Sequence, residues 1–265
     1  MERTESKQQQ TVYGLRPVIE AIESGAQIER VLIQNGLGAE RDRQGAGNAK
    51  GLASELKAKI REHGVPFQYV PVEKLNRMAA GNHQGVVAII AAVRYTTFEQ
   101  LMEQMGEEPV LVVMLDHITD VRNMGAIART AECAGVTALV VPDRGSAALN
   151  SDAVKTSSGA LLRLPICREG NFKTVLNMAK QYGLQVVAST EKGAVHYREV
   201  DFRRPTLLIM GNEETGISPD LLKMSDVRAK LPIVGEVSSL NVSVAAGVMM
   251  YEALEQRMTT PAQGQ

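Results

Sequence analysis

Cysteine is scarce in this chain of 265 residues: there are two, Cys133 and Cys167, and they form no C-x-x-C pair. That usage leaves no structural zinc and fits a reducing cytosol, with both thiols expected as small core residues. Long apolar runs are missing too. The longest, such as Gly85 to Val93, fall far short of the roughly 18 residues that span a bilayer. The opening MERTESKQQQ has no apolar signal core, so neither a membrane nor export is expected, and the expected location is cytoplasmic. Low-complexity tracts are absent, and with 44% apolar and 22% charged residues the composition is that of a globular protein. Charge of one sign is lacking overall, at a net −1, yet the halves differ. Residues 1–94 carry 13 Lys and Arg against 10 Asp and Glu, a net +3, and residues 95–265 carry 16 against 20, a net −4. A mildly basic front half can meet phosphates, although ordinary surface scatter explains the asymmetry equally well.

Nucleotide-loop signatures also fail. Gly45 and Gly47, in the charged stretch Glu40 to Lys50, and Gly51 just after it follow no strand and miss the dinucleotide spacing by one residue, so a basic loop is expected there. Gly211 and Gly216 are spaced like a phosphate loop, but Ile217 and Ser218 stand where Lys and Ser or Thr are required.

What is present is an alternation of helical and strand patterns. The first half reads as a helix over YGLRPVIEAIESG with Pro17 near its start and Gly25 as its stop, a strand RVLIQ, and a helix LASELKAKIREHG. Strands FQYVP and GVVAIIAAV follow. Beyond Tyr95 to Pro109, read as a connector, the strands lengthen into near-continuous Val, Ile and Leu runs. They are Val110 to Leu115, Ala138 to Pro142, Leu164 to Cys167, Gln185 to Thr190, Thr206 to Gly211 and Lys230 to Val234. Helices between them are expected over Asn123 to Ala134, Phe172 to Tyr182 capped by Asn171, Pro219 to Met224 capped by Ser218, and Val242 to Arg257. This is the pattern of an α/β protein with a mostly parallel sheet covered by helices on both faces, preceded by a small α/β unit. The expected division is a disordered tail 1–10, a first domain 11–94, a linker 95–109, a second domain 110–257 and a tail 258–265.

Ligands of parallel sheets bind at the carboxyl ends of the strands, and three loops there are unusual. Leu115 to Gly135 runs from a strand into a polar turn with Asp116, Asp120, Arg122 and Asn123. It continues into a helix of small residues, Gly125, Ala128, Ala131 and Ala134, that presents Arg129. Small residues there mean either a functional close approach or merely tight packing. Ile209 to Leu222 places Glu213 on a glycine-flanked turn, as a solvated charge or as an acceptor in a site. In VGEVSSLNVSVAAG, Ser239 or Asn241 can cap the last helix. Ser238, Ser239, Asn241 and Ser243 together exceed what one cap needs, and they point to a lined pocket.

Together these loops resemble the three motifs of the SPOUT superfamily of RNA methyltransferases, in VRNMGAIART, MGNEETGI and SLNVSVAAG. The branch they are most similar to is that of the ribose 2′-O-methyltransferases, in particular those acting on guanosine of 23S ribosomal RNA. PDRGSAALNSDAVKTSSGAL is similar to the family's stretch between its first two motifs, and NHQGVVAI to its N-terminal RNA-binding domain. The chain departs from the resemblance at Arg16, where relatives commonly carry His.

The resemblance implies a C-terminal trefoil knot, S-adenosylmethionine as cofactor, structured RNA as substrate (ribosomal favoured, transfer possible) and a homodimer, with no metal and no membrane. It implies Asn123, Arg129, Glu213, Ser239 and Asn241 as the reacting-site residues. Ser189, Thr190, Gly211, Leu231, Ile233 and Leu240 are implied around the cofactor. A guanidinium is a poor base, so Arg129 is better suited to holding a phosphate than to taking a proton from the ribose hydroxyl. His83 is implied as an RNA contact, His117 as a turn residue, and His63 and His196 as surface positions. A non-catalytic RNA-binding protein of the same fold is the alternative, and the joint presence of five site residues speaks against it. A nucleotide-dependent oxidoreductase lacks its fingerprint.

Overall fold

The computed structural model describes residues 11–37, 47–79, 81–90, 93–106 and 110–259. The expected tail 1–10, residues 260–265 of the expected tail 258–265, the first part of the expected basic loop (40–46) and residues 107–109 of the expected connector lie outside them. The chain divides into two compact units that part between residues 92 and 93.

The first unit runs β1 (Thr11–Tyr13), α1 (Leu15–Glu23), β2 (Ile28–Gln34), α2 (Gly47–Glu62), β3 (Phe67–Val70), α3 (Val72–Met78) and β4 (Val86–Ile90). Its sheet has the order β1-β4-β2-β3, with β2 and β3 parallel and the other pairs antiparallel. Apolar residues alternate across β2. Val31 and Ile33 pack with Leu15, Val18 and Ile22 of α1 and Leu56 of α2, while Leu32 faces Leu75 of α3. Gly25 does stop α1, at φ 73°. Residues 47–50, expected in the loop, are the first turn of α2. The turn at His83 is bonded to α3 and within itself: one ring nitrogen meets Asn76 Oδ1 at 2.8 Å, and the other accepts from Gly85 N at 2.9 Å.

The second unit contains β5 (Tyr95–Thr96), α4 (Phe98–Gln104), β6 (Leu111–Asp116), α5 (Val121–Cys133), β7 (Ala138–Pro142), α6 (Ser151–Thr156), β8 (Ile166–Glu169) and α7 (Phe172–Gln181). It continues with β9 (Gln185–Ser189), β10 (Val195–His196), β11 (Thr206–Gly211), α8 (Pro219–Met224), β12 (Val227–Lys230) and α9 (Val242–Met258). Its eight strands lie in the order β10-β12-β9-β11-β6-β7-β8-β5, and every neighbouring pair is parallel. Helices cover both faces, α5 and α9 packing on Val113 and Leu115, and α4, α7 and α8 on Val112 and Met114. Residues 111–115 are each at most 1% exposed, and burial of each such side chain contributes about 1.5–3 kcal/mol.

Four expectations need correction here. Tyr95 to Gln104 is no connector, because β5 pairs with β8, Thr97 and Gln100 close a capping box, and Phe98, Leu101 and Met102 are buried in the second unit's core. The last strand is Val227–Lys230 rather than Lys230 to Val234. Its ladder to β9 ends at Ala229 and that to β10 at Lys230, and the apolar residues after them have no strand partner among the described residues. Met258 closes α9 rather than opening a tail. Cys133 is exposed, whereas Cys167 is buried, its thiol pushed up to about 12 by desolvation.

Candidate active site

Because all strands of the large sheet run parallel, β12, β9, β11 and β6 present their carboxyl ends at one edge. The adjacent β11 and β6 then send their chains to opposite faces, β11 into α8 and β6 into α5. Such a parting leaves a crevice that nothing in the sheet fills. At this edge lies a cavity of about 360 Å³, in the size range of small-molecule sites. Ser189 and Thr190 line it from β9, Gly211 to Ile217 from the loop after β11, and Leu231, Ile233, Ser239 and Leu240 from the segment before α9. All six residues expected around the cofactor are therefore on its wall.

The loop after β11 is built to close on itself. Asn212 and Gly216 exchange backbone hydrogen bonds of 3.1 and 2.8 Å, and Asn212 Oδ1 accepts from the backbone of Glu214 at 2.8 Å. Gly211 is required for that closure, since a Cβ there would stand 2.4 Å from the carbonyl carbon of Gly216 and the nitrogen of Ile217. The turn carries Glu213 to the point where all three sequence loops meet. Glu213 Oε1 accepts from Asn123 Nδ2 at 3.1 Å, from Val242 N at 3.1 Å and from Asn241 Nδ2. Asn241 Nδ2 also donates to Asn123 Oδ1 at 3.0 Å. Three segments up to 118 residues apart in the chain are thus tied into one polar triangle.

Each corner has a local reason for its place. Asp120 caps α5 through the backbone of Arg122 and Asn123, which hold its carboxyl below the usual range and fix Asn123 in the first turn. Asn241 caps α9, its Oδ1 accepting from Ser243 N at 3.0 Å, so the cap and the triangle use opposite ends of one amide. Ser239 lines the cavity and makes no hydrogen bond among the described residues.

Arg129 stands apart from the other four expected site residues. It lies six positions after Asn123 on α5, about 120° around the helix, exposed, and its side chain makes no hydrogen bond or ion pair among the described residues. The small residues of α5 have the packing explanation at Gly125, where a Cβ would fall 2.6 Å from Thr156 Cγ2 of α6.

Sequence reasoning passed over the support behind the cavity. Asp116, at the end of β6, reads in the sequence only as part of a polar turn. It is buried, with Nδ1 of His117 2.6 Å from Oδ1, and with Ser218 N at 2.7 Å and Ser218 Oγ at 2.6 Å both donating to Oδ2. Ser218, expected as the cap of α8, spends its hydroxyl on Asp116 and makes no side-chain cap. The available signal was a carboxylate ending an apolar strand. Glu191, Lys192 and Thr215 also line the cavity and had no sequence signal beyond their loops.

Comparison with known proteins agrees over both units. The family model of the SpoU rRNA Methylase family matches residues 110–251, and that for RNA 2′-O ribose methyltransferase substrate binding matches residues 11–96. The TrmH-family protein YacO of Bacillus subtilis is 33% identical over 255 residues, 95% of this chain and 98% of that protein. The SpoU methyltransferase AviRb of Streptomyces viridochromogenes, solved in complex with the cofactor AdoMet, superposes with a TM-score of 0.59. It is 26% identical, with 94% of this chain and 91% of that one covered. The TrmH/SpoU tRNA modifying enzyme of A. aeolicus reaches a TM-score of 0.53 at 33% identity, over 61% of this chain and 82% of that one. With matches over the substrate-binding and the methylase parts alike, this chain belongs to the SpoU/TrmH family of RNA methyltransferases, a class of knotted α/β fold.

Proposed function

We propose that the protein transfers a methyl group from S-adenosylmethionine to a ribose 2′-hydroxyl of structured RNA, with a guanosine of 23S ribosomal RNA as the target. The observation that carries this reading is the convergence of Asn123, Asn241 and the nitrogen of Val242 on one carboxylate oxygen of Glu213, beside a cavity of cofactor size. The separate unit matched by the substrate-binding model supports an RNA partner. The choice of ribosomal RNA rests on the separate N-terminal domain, and that of guanosine on the resemblance to the methyltransferases of 23S guanosine.

The lining fits the methyl donor. Leu231, Ile233 and Leu240 offer apolar surface for an adenine, Ser189 and Thr190 offer hydroxyls, and Lys192 beside Glu191 offers both charges for an amino-acid end. When bound, S-adenosylmethionine supplies an electrophilic methyl group. The chain's own task is then to position the ribose and manage one proton. With Oε1 of Glu213 occupied by three donors, Oε2 is left to accept a hydrogen bond from the 2′-hydroxyl. Asn123 retains one amide hydrogen for the sugar. Arg129, exposed on α5, takes a phosphate next to the target nucleotide.

The partner is a second copy of the chain. Val244, Val248, Tyr251 and Met258 of α9 are exposed at helical spacing, an apolar stripe that water does not favour and a dimer would cover.

Mass spectrometry of ribose-methylated nucleosides, in ribosomal and transfer RNA from cells with and without the gene, tests the reading. Loss of one 2′-O-methylguanosine from 23S RNA is expected. Unchanged methylation in both RNAs sinks the activity, and loss from transfer RNA alone replaces the target.

A further inference from the structure

β6 is apolar from Leu111 to Leu115 and ends on Asp116, whose side chain is 2% exposed. A carboxylate taken out of water persists only where its oxygens are satisfied, and here every partner belongs to the frame of the cavity. Oδ2 accepts from the backbone and hydroxyl of Ser218, and Oδ1 pairs with His117 Nδ1. His117 in turn accepts from Asn212 Nδ2 at 2.9 Å through its carbonyl, and it is held at φ 58°, which residues other than glycine rarely adopt. Two consecutive residues of one strand end therefore grip the loop after β11 at both of its ends, Asn212 and Ser218. Between these grips, residues 212–217 all line the cavity, Glu213 among them.

We propose that Asp116 is a positioning residue for methyl transfer: by clamping the loop through Ser218 and His117, it sets the cavity wall and the place of Glu213. It reaches neither substrate nor donor. The proposal rests on the methyltransferase reading, because the loop's value lies in what the cavity binds.

The experiment uses the full chain, with S-adenosylmethionine titrated calorimetrically and RNA methylation followed at saturating cofactor. Asp116→Ala is expected to weaken cofactor binding about tenfold and to lower kcat by about a hundredfold, as misplacement of a reacting group by an ångström does. Asp116→Asn is expected to recover most of both. Its amide oxygen can still accept from Ser218, and its NH2 can donate to a ring nitrogen that accepts. Where Asp116→Ala does not fold, Ser218→Ala, which loses only the hydroxyl bond, is expected to weaken binding about threefold with its melting temperature nearly unchanged. Wild-type affinity and turnover in folded Asp116→Ala, or unchanged affinity in Ser218→Ala, overturns the proposal. If the wild-type protein itself binds no S-adenosylmethionine, it is the functional reading that fails. The clamp is then tested by hydrogen exchange, where faster exchange confined to residues 212–217 in either variant supports it and unchanged exchange overturns it.

Discussion

The cavity has two walls of opposite construction. The wall after β11 is closed by its own hydrogen bonds, held at both ends from β6, and ties Glu213 to two helix starts. The wall before α9, residues 231–240, makes no hydrogen bond among the described residues. It leaves Ile233 39%, Val234 98%, Val237 75% and Leu240 41% exposed. The first wall is organised before any ligand arrives, which lowers the cost of orienting a reacting group. The second wall exposes apolar side chains that gain burial only when something enters the cavity or covers it. One wall therefore serves geometry and the other serves affinity.

The sharpest way to break this contrast is at Glu213. Glu213→Ala leaves the amides of Asn123 and Asn241 and the nitrogen of Val242 without their shared acceptor. RNA methylation in single turnover is expected to fall by about a hundredfold or more, with cofactor affinity changed far less. An equal loss in both would erase the division between the walls. Next in size, Leu240→Ala and Ile233→Ala are each expected to raise the calorimetric Kd for S-adenosylmethionine about fivefold, as loss of roughly 1 kcal/mol of apolar contact does. Their melting temperature without ligand should stay put, because both side chains are already exposed in the free protein. A smaller signal is expected in hydrogen exchange. Added cofactor should slow exchange in residues 231–240 more than in 211–218, and the reverse order would contradict the assignment of the walls.

The smallest effect concerns the charge that starts α5. Backbone donation from Asn123 and Arg122 holds the Asp120 carboxyl below its ordinary value. A depressed folded-state pKa stabilises above the unfolded value of about 4, and that stability is lost as pH falls through the folded value. The melting temperature of wild type should exceed that of Asp120→Asn slightly at neutral pH, and the gap should close under acid. A gap independent of pH would show that the carboxyl's charge plays no part in holding Asn123.

Much of the frame was legible. The parallel strands announce themselves as Val, Ile and Leu runs because both of their faces are buried, and α7 announces itself by Asn171 and Gly183 at its two ends. β12 was misplaced because Val227–Lys230 alternates with charge while Leu231 to Val234 looks like a buried strand. Only the ladder to β9 chooses between them. In the region that reads as a connector, Thr97-x-x-Gln100 is a capping-box signal for α4. For Ser239 and Asn241 the sequence allowed either to be the cap. The structure makes Asn241 both cap and corner of the triangle, and leaves Ser239 on the cavity wall.

By itself the sequence determined the alternation of strands and helices, the burial of the central strands and the membership of the site loops. Those depend on local periodicity, capping chemistry and residue types at strand ends. Only the tertiary structure decided that Asp116 and His117 grip the loop of Glu213, that Asn123 and Asn241 share its carboxylate, and that Arg129 points elsewhere on α5. These are relations between residues 28 to 118 positions apart, or between faces of one helix, and they come into being only when strand order brings distant loops to one edge of the sheet.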